Sequence, residues 1–401
     1  MTSLGIKDDL LDAQALRALG AAPYGGADAG EVLTAASAVR GTDLDSWYAS
    51  WASLASHMVT MAERERAAGR LVSARSAFFR AATYERTAGL MLLGAPLDPR
   101  LSSSIERQTD SFRRGAALLD LPPDIVEIPY EGTTLPGYFF RCSEDDAPRP
   151  TVVLVGGYDG TVEELYFLNG AAALERGYHV LAFDGPGQGS ALVRQGLHMR
   201  ADWEAVMTPV VDHVLTRPEV DADRLVLIGL SLGGYLAPRA ASGEHRFAAC
   251  VADCGSFDLY QAALDRFPKP LRGGLEDPEG SRGRLLTRAL DHMAGKPTAG
   301  WALRRGLLVH GVDTPLAYLQ SLRDYTLADR AGDIRCPIYI SYAEGDDISA
   351  SAPKLAEATT SPTELVRFTA AEGAGDHCEA GARTLYHARM FAWLDSVLGA
   401  V

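Results

Sequence analysis

Ser231 stands between Gly229 and Gly233 in the run GLSLGGY, directly after the apolar segment RLVLI, and it is the residue whose type and spacing best suit nucleophilic chemistry. The apolar segment reads as a buried strand and the residues after the serine as the start of a helix, so Ser231 falls on the turn between them. Flanking glycines let strand and helix approach without an intervening Cβ, which is what a G-x-S-x-G elbow requires. A serine hydroxyl is a weak nucleophile at neutral pH. To attack a carbonyl it needs a nearby base, a group that orients the base, and N–H donors for the oxyanion. The bland alternative is a glycine-rich turn with an ordinary N-cap serine.

Of the nine histidines, His377 lies in AEGAGDHCEAGAR, between the last predicted strand and the last predicted helix. That loop opens at the carboxyl ends of the strands, where Ser231 also emerges. His57, His213, His292 and His387 fall inside predicted helices, and His179, His198, His245 and His310 at turns or helix ends; these read as packed or solvated. The acid is expected in the loop after PIYISYA, in YAEGDDIS, where Asp346 is favoured over its neighbour Asp347 because only one of the two carboxylates can hold the imidazole. One oxyanion donor is the backbone N–H of Leu232. The second is expected in GGYDGTVEE, where Gly156 and Gly157 leave room for a carbonyl and the N–H of Tyr158 is the candidate. A plain strand-to-helix turn is the competing reading of that segment.

The elements that position these residues follow from hydrophobic periodicity. Residues 1–120 read as a helical N-terminal domain: Trp47, Trp51, Leu54, Met58 and Met61 recur at helical steps, with Asp45 or Ser46 as cap and Gly69 as stop. Two more helices follow in SARSAFFRAATYERTAGLMLLG and RLSSSIERQTDSFRRGAALL. This pair of helices suggests a tetratricopeptide hairpin, but no second copy follows at the repeat period. Beyond residue 121 a hairpin turning at Gly132 leads into alternating strands and helices, the pattern of a mainly parallel sheet covered on both faces. Core segments 121–257 and 331–401 flank a helical insertion, 258–330, expected to form a lid with the N-terminal helices. Its Phe267, Trp301 and Tyr318 suit an apolar pocket or simple core packing.

Composition narrows the partners. The chain has 401 residues, 47% hydrophobic, with a net charge of −14; its only lysines are Lys7, Lys269, Lys296 and Lys354, and no basic stripe forms, which argues against nucleic acid and anionic membranes. Cys142, Cys250, Cys254, Cys336 and Cys378 are scattered without C-x-x-C spacing and read as reduced thiols, with Cys378 a small loop residue. No leader or membrane span is read, so a cytoplasmic location is expected. FDGPGQGS does not fit G-x-G-x-x-G, and neither a P-loop nor H-E-x-x-H occurs, so no cofactor and no metal is expected.

Taken together, the W-x-x-x-W helix with SARSAFFRAATYERTA, then GGYDGTVEE, FDGPGQGSA, GLSLGGY, CPIYISYAEGDD and GAGDHCEAGAR, resemble the α/β-hydrolases related to 2,6-dihydroxypseudooxynicotine hydrolase, fermentation-respiration switch-like esterases and fungal polyketide-shortening hydrolases. The resemblance runs from about residue 43 to the C-terminus. It implies the α/β-hydrolase fold, a triad of Ser231, Asp346 and His377, an oxyanion hole at Tyr158 and Leu232, and a possible homodimer through the N-terminal helices. It also implies cleavage of a ketone C–C bond or an ester in a small aromatic or polyketide-like molecule, through an acyl-enzyme. Some relatives use a further acid near the nucleophile. Asp253 and Asp258 are available here, with no glutamate at the place expected beyond them. Rival readings are an acyltransferase or cyclase using the same triad, and a non-catalytic binding protein on the same fold.

Overall fold

Apolar runs in the second part of the chain become one eight-stranded sheet in a computed structural model that describes residues 3–399. Its strands are β1 (Asp124–Tyr130), β2 (Thr133–Phe140), β3 (Arg149–Val155), β4 (His179–Phe183), β5 (Val220–Leu230), β6 (Ala249–Asp253), β7 (Ile338–Ala343) and β8 (Thr363–Phe368). They lie in the order β1-β2-β4-β3-β5-β6-β7-β8. The β1–β2 hairpin turns at Gly132, whose φ of 82° is left-handed, and both β1–β2 and β2–β4 pair antiparallel. All remaining pairs are parallel. Strands β4 and β6 are buried at every position, as expected for strands covered on both faces.

Sheet order places the chemistry. The chain leaves β3 for β4 on one side and returns across it to β5 on the other, a reversal that opens a crevice at the carboxyl ends of the strands. Val155 pairs with Gly229, so the loop after β3 and the turn after β5 start side by side. Tyr158 and Ser231 are thereby brought to one place from positions far apart in sequence.

Five helices precede the sheet: α1 (Asp9–Leu19), α2 (Ala29–Ser37), α3 (Leu44–Ala67), α4 (Leu71–Leu90) and α5 (Arg100–Ala116). The tryptophan periodicity of α3 faces α4: Trp47 and Trp51 have ring centroids 5.4 Å apart, Trp51 and Tyr84 5.9 Å, and Trp47 Nε1–H donates to Thr87 O at 2.8 Å. Its cap is Asp43 rather than Asp45 or Ser46; the Asp43 carboxylate accepts from both of their N–H groups, which makes them the first-turn donors in need of a cap. Helices α1 and α2 have no counterpart in the sequence reading. They are short, alanine-rich segments whose apolar faces are defined by what they pack on. His179 is also placed differently: it opens β4, fully buried, and its Nδ1 accepts from Cys142 N–H at 3.0 Å.

Between β6 and β7 lie the helices Leu259–Asp265, Lys269–Glu276, Ser281–Ala294, Trp301–His310 and Pro315–Ser321. Two backbone bonds, Leu259 N to Tyr325 O at 3.0 Å and Leu327 N to Phe257 O at 2.9 Å, tie the two ends of this insertion together. It touches the N-terminal helices through Ala95 N to Arg304 O at 2.9 Å and Thr298 Oγ1 to Asp8 Oδ2 at 2.8 Å. No described helix is long and apolar enough to cross a membrane.

Candidate active site

Ser231 has a φ of +62°, a left-handed conformation that a non-glycine residue adopts only where its surroundings impose it. Those surroundings are backbone. A Cβ on Gly229 would sit 1.9 Å from Gly233 O, and one on Gly234 would sit 2.3 Å from Cys254 O. Strand β5 and the helix Gly233–Ala241 therefore meet closer than any side chain permits, and the serine is held at the apex by Ser231 N to Asp253 O at 3.1 Å and Gly234 N to Ser231 O at 2.8 Å.

From this apex a hydrogen-bonded chain runs through three side chains. Ser231 Oγ lies 2.8 Å from His377 Nε2, and His377 Nδ1 lies 2.8 Å from Asp346 Oδ2. A carboxylate only accepts, so Nδ1 carries the proton and the Nε2 lone pair faces the serine hydroxyl. Of the two adjacent aspartates, Asp346 turns inward and Asp347 is exposed. Asp346 also accepts from Ile348 N–H at 3.0 Å and from the Cys254 thiol at 3.1 Å. Burial by itself would raise the Asp346 carboxyl, but the His377 charge and hydrogen bond, with the Cys254 thiol, hold it below the usual carboxylate range. Desolvation would lower His377, and the charges of Cys378 and Asp346 overcome it to raise the imidazole.

The loop after β3 lies against the nucleophile: a Cβ on Gly157 would be 2.7 Å from Ser231 Cβ. The next residue is Tyr158. Among the described residues, neither its N–H nor that of Leu232 donates to a protein acceptor, leaving two donors beside Ser231. The Tyr158 hydroxyl is engaged elsewhere, with His310 Nε2. Burial and the Arg305 charge push His310 down to about 4, so this imidazole is neutral at pH 7. Histidine 310 is thus a packed residue within reach of the site.

Several residues that support this loop were not singled out in the sequence. Gln188 bridges two strand ends, its Nε2 donating to Gly156 O at 2.7 Å and its Oε1 accepting from Gly185 N at 3.0 Å. Asp159 pairs with Arg17 at 2.6 Å and with Arg305, and its backbone oxygen accepts from Arg86 at 3.1 Å. Burial alone would raise its carboxyl; Arg17, Arg305 and Arg86 drive it far down. This ion cluster joins α1, α4, the insertion and the loop. Beside it, a cleft between α4, α5 and the loop is lined by Leu90, Leu93, Ile105, Tyr158, Leu192 and Val193. Of the two acids considered as additional groups, Asp253 is fully buried against Arg383 at 2.8 Å, and Asp258 caps the helix Leu259–Asp265 by accepting from Gln261 N at 2.7 Å.

Cys254 and Cys378 form the last part of the site. Their sulfurs are 3.4 Å apart, and Cys254 Sγ is 3.4 Å from His377 Nδ1. Burial favours the neutral Cys378 thiol, but the Cys254 hydrogen bond and the His377 charge bring it down to about 7.

Comparison with known proteins gives two family matches: the alpha/beta hydrolase family over residues 152–388, and the FrsA-like esterases over residues 35–258. Hydrolase LUC6 of a Fusarium species is 36% identical, with 96% of this chain and 95% of that protein aligned. The 20-hydroxy-prefusarin hydrolase FUS2 of Gibberella moniliformis is also 36% identical, over 97% of this chain and 96% of that protein. The crystal structure of 2,6-dihydroxy-pseudo-oxynicotine hydrolase superposes with a TM-score of 0.74 at 25% identity, covering 95% of each chain. Its parallel sheet, the serine turn after β5 and relatives aligned along nearly the whole length lead to one conclusion: the chain is an enzyme of the α/β-hydrolase family.

Proposed function

We propose that this enzyme is a serine hydrolase that cleaves an ester, or a C–C bond beside a ketone, in a small polyketide-like molecule through an acyl-enzyme. The observation that carries the reading is the 2.8 Å and 2.8 Å relay from Ser231 through His377 to Asp346. Nε2 of His377 takes the Ser231 proton as the oxygen attacks the substrate carbonyl, and Asp346 holds the imidazolium that forms. The N–H groups of Leu232 and Tyr158 receive the oxyanion. Collapse expels an alkoxide or stabilised carbanion, which takes the proton from His377. Water deprotonated by the same imidazole then releases the acid. The N-terminal helices and the insertion 258–330 act as the lid that shields this chemistry from solvent.

The substrate class is supported by the relatives: FUS2 is named as a hydrolase of 20-hydroxy-prefusarin, and the structural neighbour as a hydrolase of 2,6-dihydroxy-pseudo-oxynicotine. The cleft bordering the Tyr158 loop combines apolar residues such as Leu90, Leu93 and Ile105 with Arg86, Gln108 and Asp159, a mixed lining that suits an oxygenated apolar ligand. The test is labelling of the purified enzyme and of Ser231→Ala with a fluorophosphonate probe, followed by assay on aryl esters and aryl β-diketones with products identified by mass spectrometry. Label on Ser231, with turnover that disappears in the variant, is the expected result. Unchanged turnover in Ser231→Ala would falsify the reading. Addition of alcohol or amine acceptors to the same assay separates hydrolysis from acyl transfer.

A further inference from the structure

The relay of the site shares its atoms with a second constellation. Cys254 follows β6 and Cys378 follows His377, and both adopt left-handed backbone, with φ of 66° and 52°. These turns direct two buried thiols to one point: Sγ to Sγ is 3.4 Å, and Cys378 N–H donates to Cys254 Sγ at 3.2 Å. The His377 Nδ1 atom is 3.4 Å from Cys254 Sγ, and the ligand atoms of Cys254, His377 and Cys378 all lie within 4.8 Å of one another. Asp346 Oδ2 is 3.1 Å from Cys254 Sγ and 2.8 Å from His377 Nδ1, so a carboxylate borders the three donors.

We propose that Cys254, Cys378 and His377 form a Zn²⁺ site whose occupation disables the nucleophile; the second half of this statement rests on the function proposed above. Two sulfurs and an imidazole nitrogen, with water in the fourth position, are a ligand set that zinc accepts. With Zn–S of about 2.3 Å and Zn–N of about 2.0 Å, a tetrahedral site has edges of about 3.8 Å between sulfurs and about 3.5 Å between sulfur and nitrogen. The Cys254–Cys378 and Cys254–His377 spacings of 3.4 Å stand a few tenths of an ångström or less inside those edges, and the three ligand atoms lie within 4.8 Å of one another.

The proton balance explains inhibition. Binding of Zn²⁺ releases two protons to solvent, one from each thiol, and forms two zinc–thiolate bonds. The metal also takes the Nδ1 lone pair, so the imidazole proton moves from Nδ1 to Nε2. In that tautomer Nε2 donates and can no longer accept the Ser231 proton, and the Nδ1–Asp346 hydrogen bond is lost.

The test uses the full chain, stripped with a chelator and kept free of thiol reagents. Cd²⁺ serves as a spectroscopic probe, and Zn²⁺ is titrated against ester hydrolysis. The expected results are one ion per chain, a thiolate-to-cadmium charge-transfer absorption, and loss of hydrolysis that a chelator reverses. Whatever turnover Cys378→Ser retains, it should require about 100-fold more Zn²⁺ for half-inhibition than the wild type, and it should bind Cd²⁺ correspondingly more weakly; Cys378→Ala is the second variant should the serine form fail to fold. Absence of the cadmium–thiolate absorption at one equivalent, or equal Zn²⁺ sensitivity of wild type and folded Cys378 variants, overturns the site. Stoichiometric binding with unchanged turnover overturns the switch alone. A chain that binds one Cd²⁺ but hydrolyses nothing in the absence of metal would count against the proposed function, not against the site.

Discussion

Asp346 and Cys254 share a hydrogen bond at the base of the relay: the buried thiol lies 3.1 Å from the same Oδ2 atom that accepts from His377 Nδ1. This carboxylate is therefore held from two sides, and a third contact from Ile348 N–H fixes its other oxygen. In the proposed mechanism its role is to keep the proton on Nδ1. Asp346→Asn should leave the fold intact and lower kcat by about 10⁴-fold, because the amide NH₂ favours the wrong imidazole tautomer. Steady-state kinetics with a chromogenic ester checks this; a loss smaller than tenfold would remove Asp346 from the relay.

At the elbow, the stability of the turn depends on missing side chains. A Cβ on Gly229 meets Gly233 O at 1.9 Å, a contact that only backbone displacement relieves. Gly229→Ala is expected to cost about 3 kcal/mol by overpacking, and to displace Ser231 from His377. Urea unfolding reports the first effect and the rate of fluorophosphonate labelling the second.

The ion pair between Arg383 and Asp253 is fully buried, with Arg383 also donating to Cys378 O and Leu168 O at 2.8 and 3.0 Å. It thereby links the end of β6 to the loop that carries His377. Arg383→Met strands the Asp253 carboxylate in the interior and should destabilise the enzyme by about 3–5 kcal/mol, measured as a shift of the denaturant midpoint. An unchanged midpoint would show that the pair is not structural.

Asp184 follows β4 and straps two loops: Oδ1 accepts from Val162 N at 2.8 Å, and Oδ2 accepts from Ser190 N at 2.8 Å. Burial, and then the neighbouring Glu163 charge, push its carboxyl up to about 7 from the ordinary 3.8. Between these values the folded state holds a proton that the unfolded chain has lost. Its contribution to stability is therefore fully present below about pH 4 and is lost as pH rises through 7. The melting temperature of wild type relative to Asp184→Asn should fall between pH 5 and pH 8. A difference independent of pH would show that Asp184 is ionised throughout.

Much of this was readable from local pattern. The elbow is encoded in five residues because its constraint is local: glycine at Gly229 and Gly233 leaves room that any Cβ would occupy, and RLVLI before it reads as a strand. The α3 helix was likewise visible in the spacing of Trp47, Trp51 and Met58, since helical periodicity is a property of neighbouring residues. The order of serine, acid and histidine along the chain singled out His377 and Asp346 for the same place in the crevice.

What tertiary structure alone decided are the contacts between distant segments. Cys254 and Cys378 are separated by 124 positions and carry no spacing signature, yet the parallel pairing of β6, β7 and β8 brings them to one point beside His377. Asp159 meets Arg17 and Arg305 only because α1 and the insertion converge on the loop after β3. Periodicity and turn chemistry act over a few residues and so are legible in one dimension. Charge pairing, thiol juxtaposition and the burial that shifts a carboxyl depend on which surfaces meet, and that is settled by sheet order and packing.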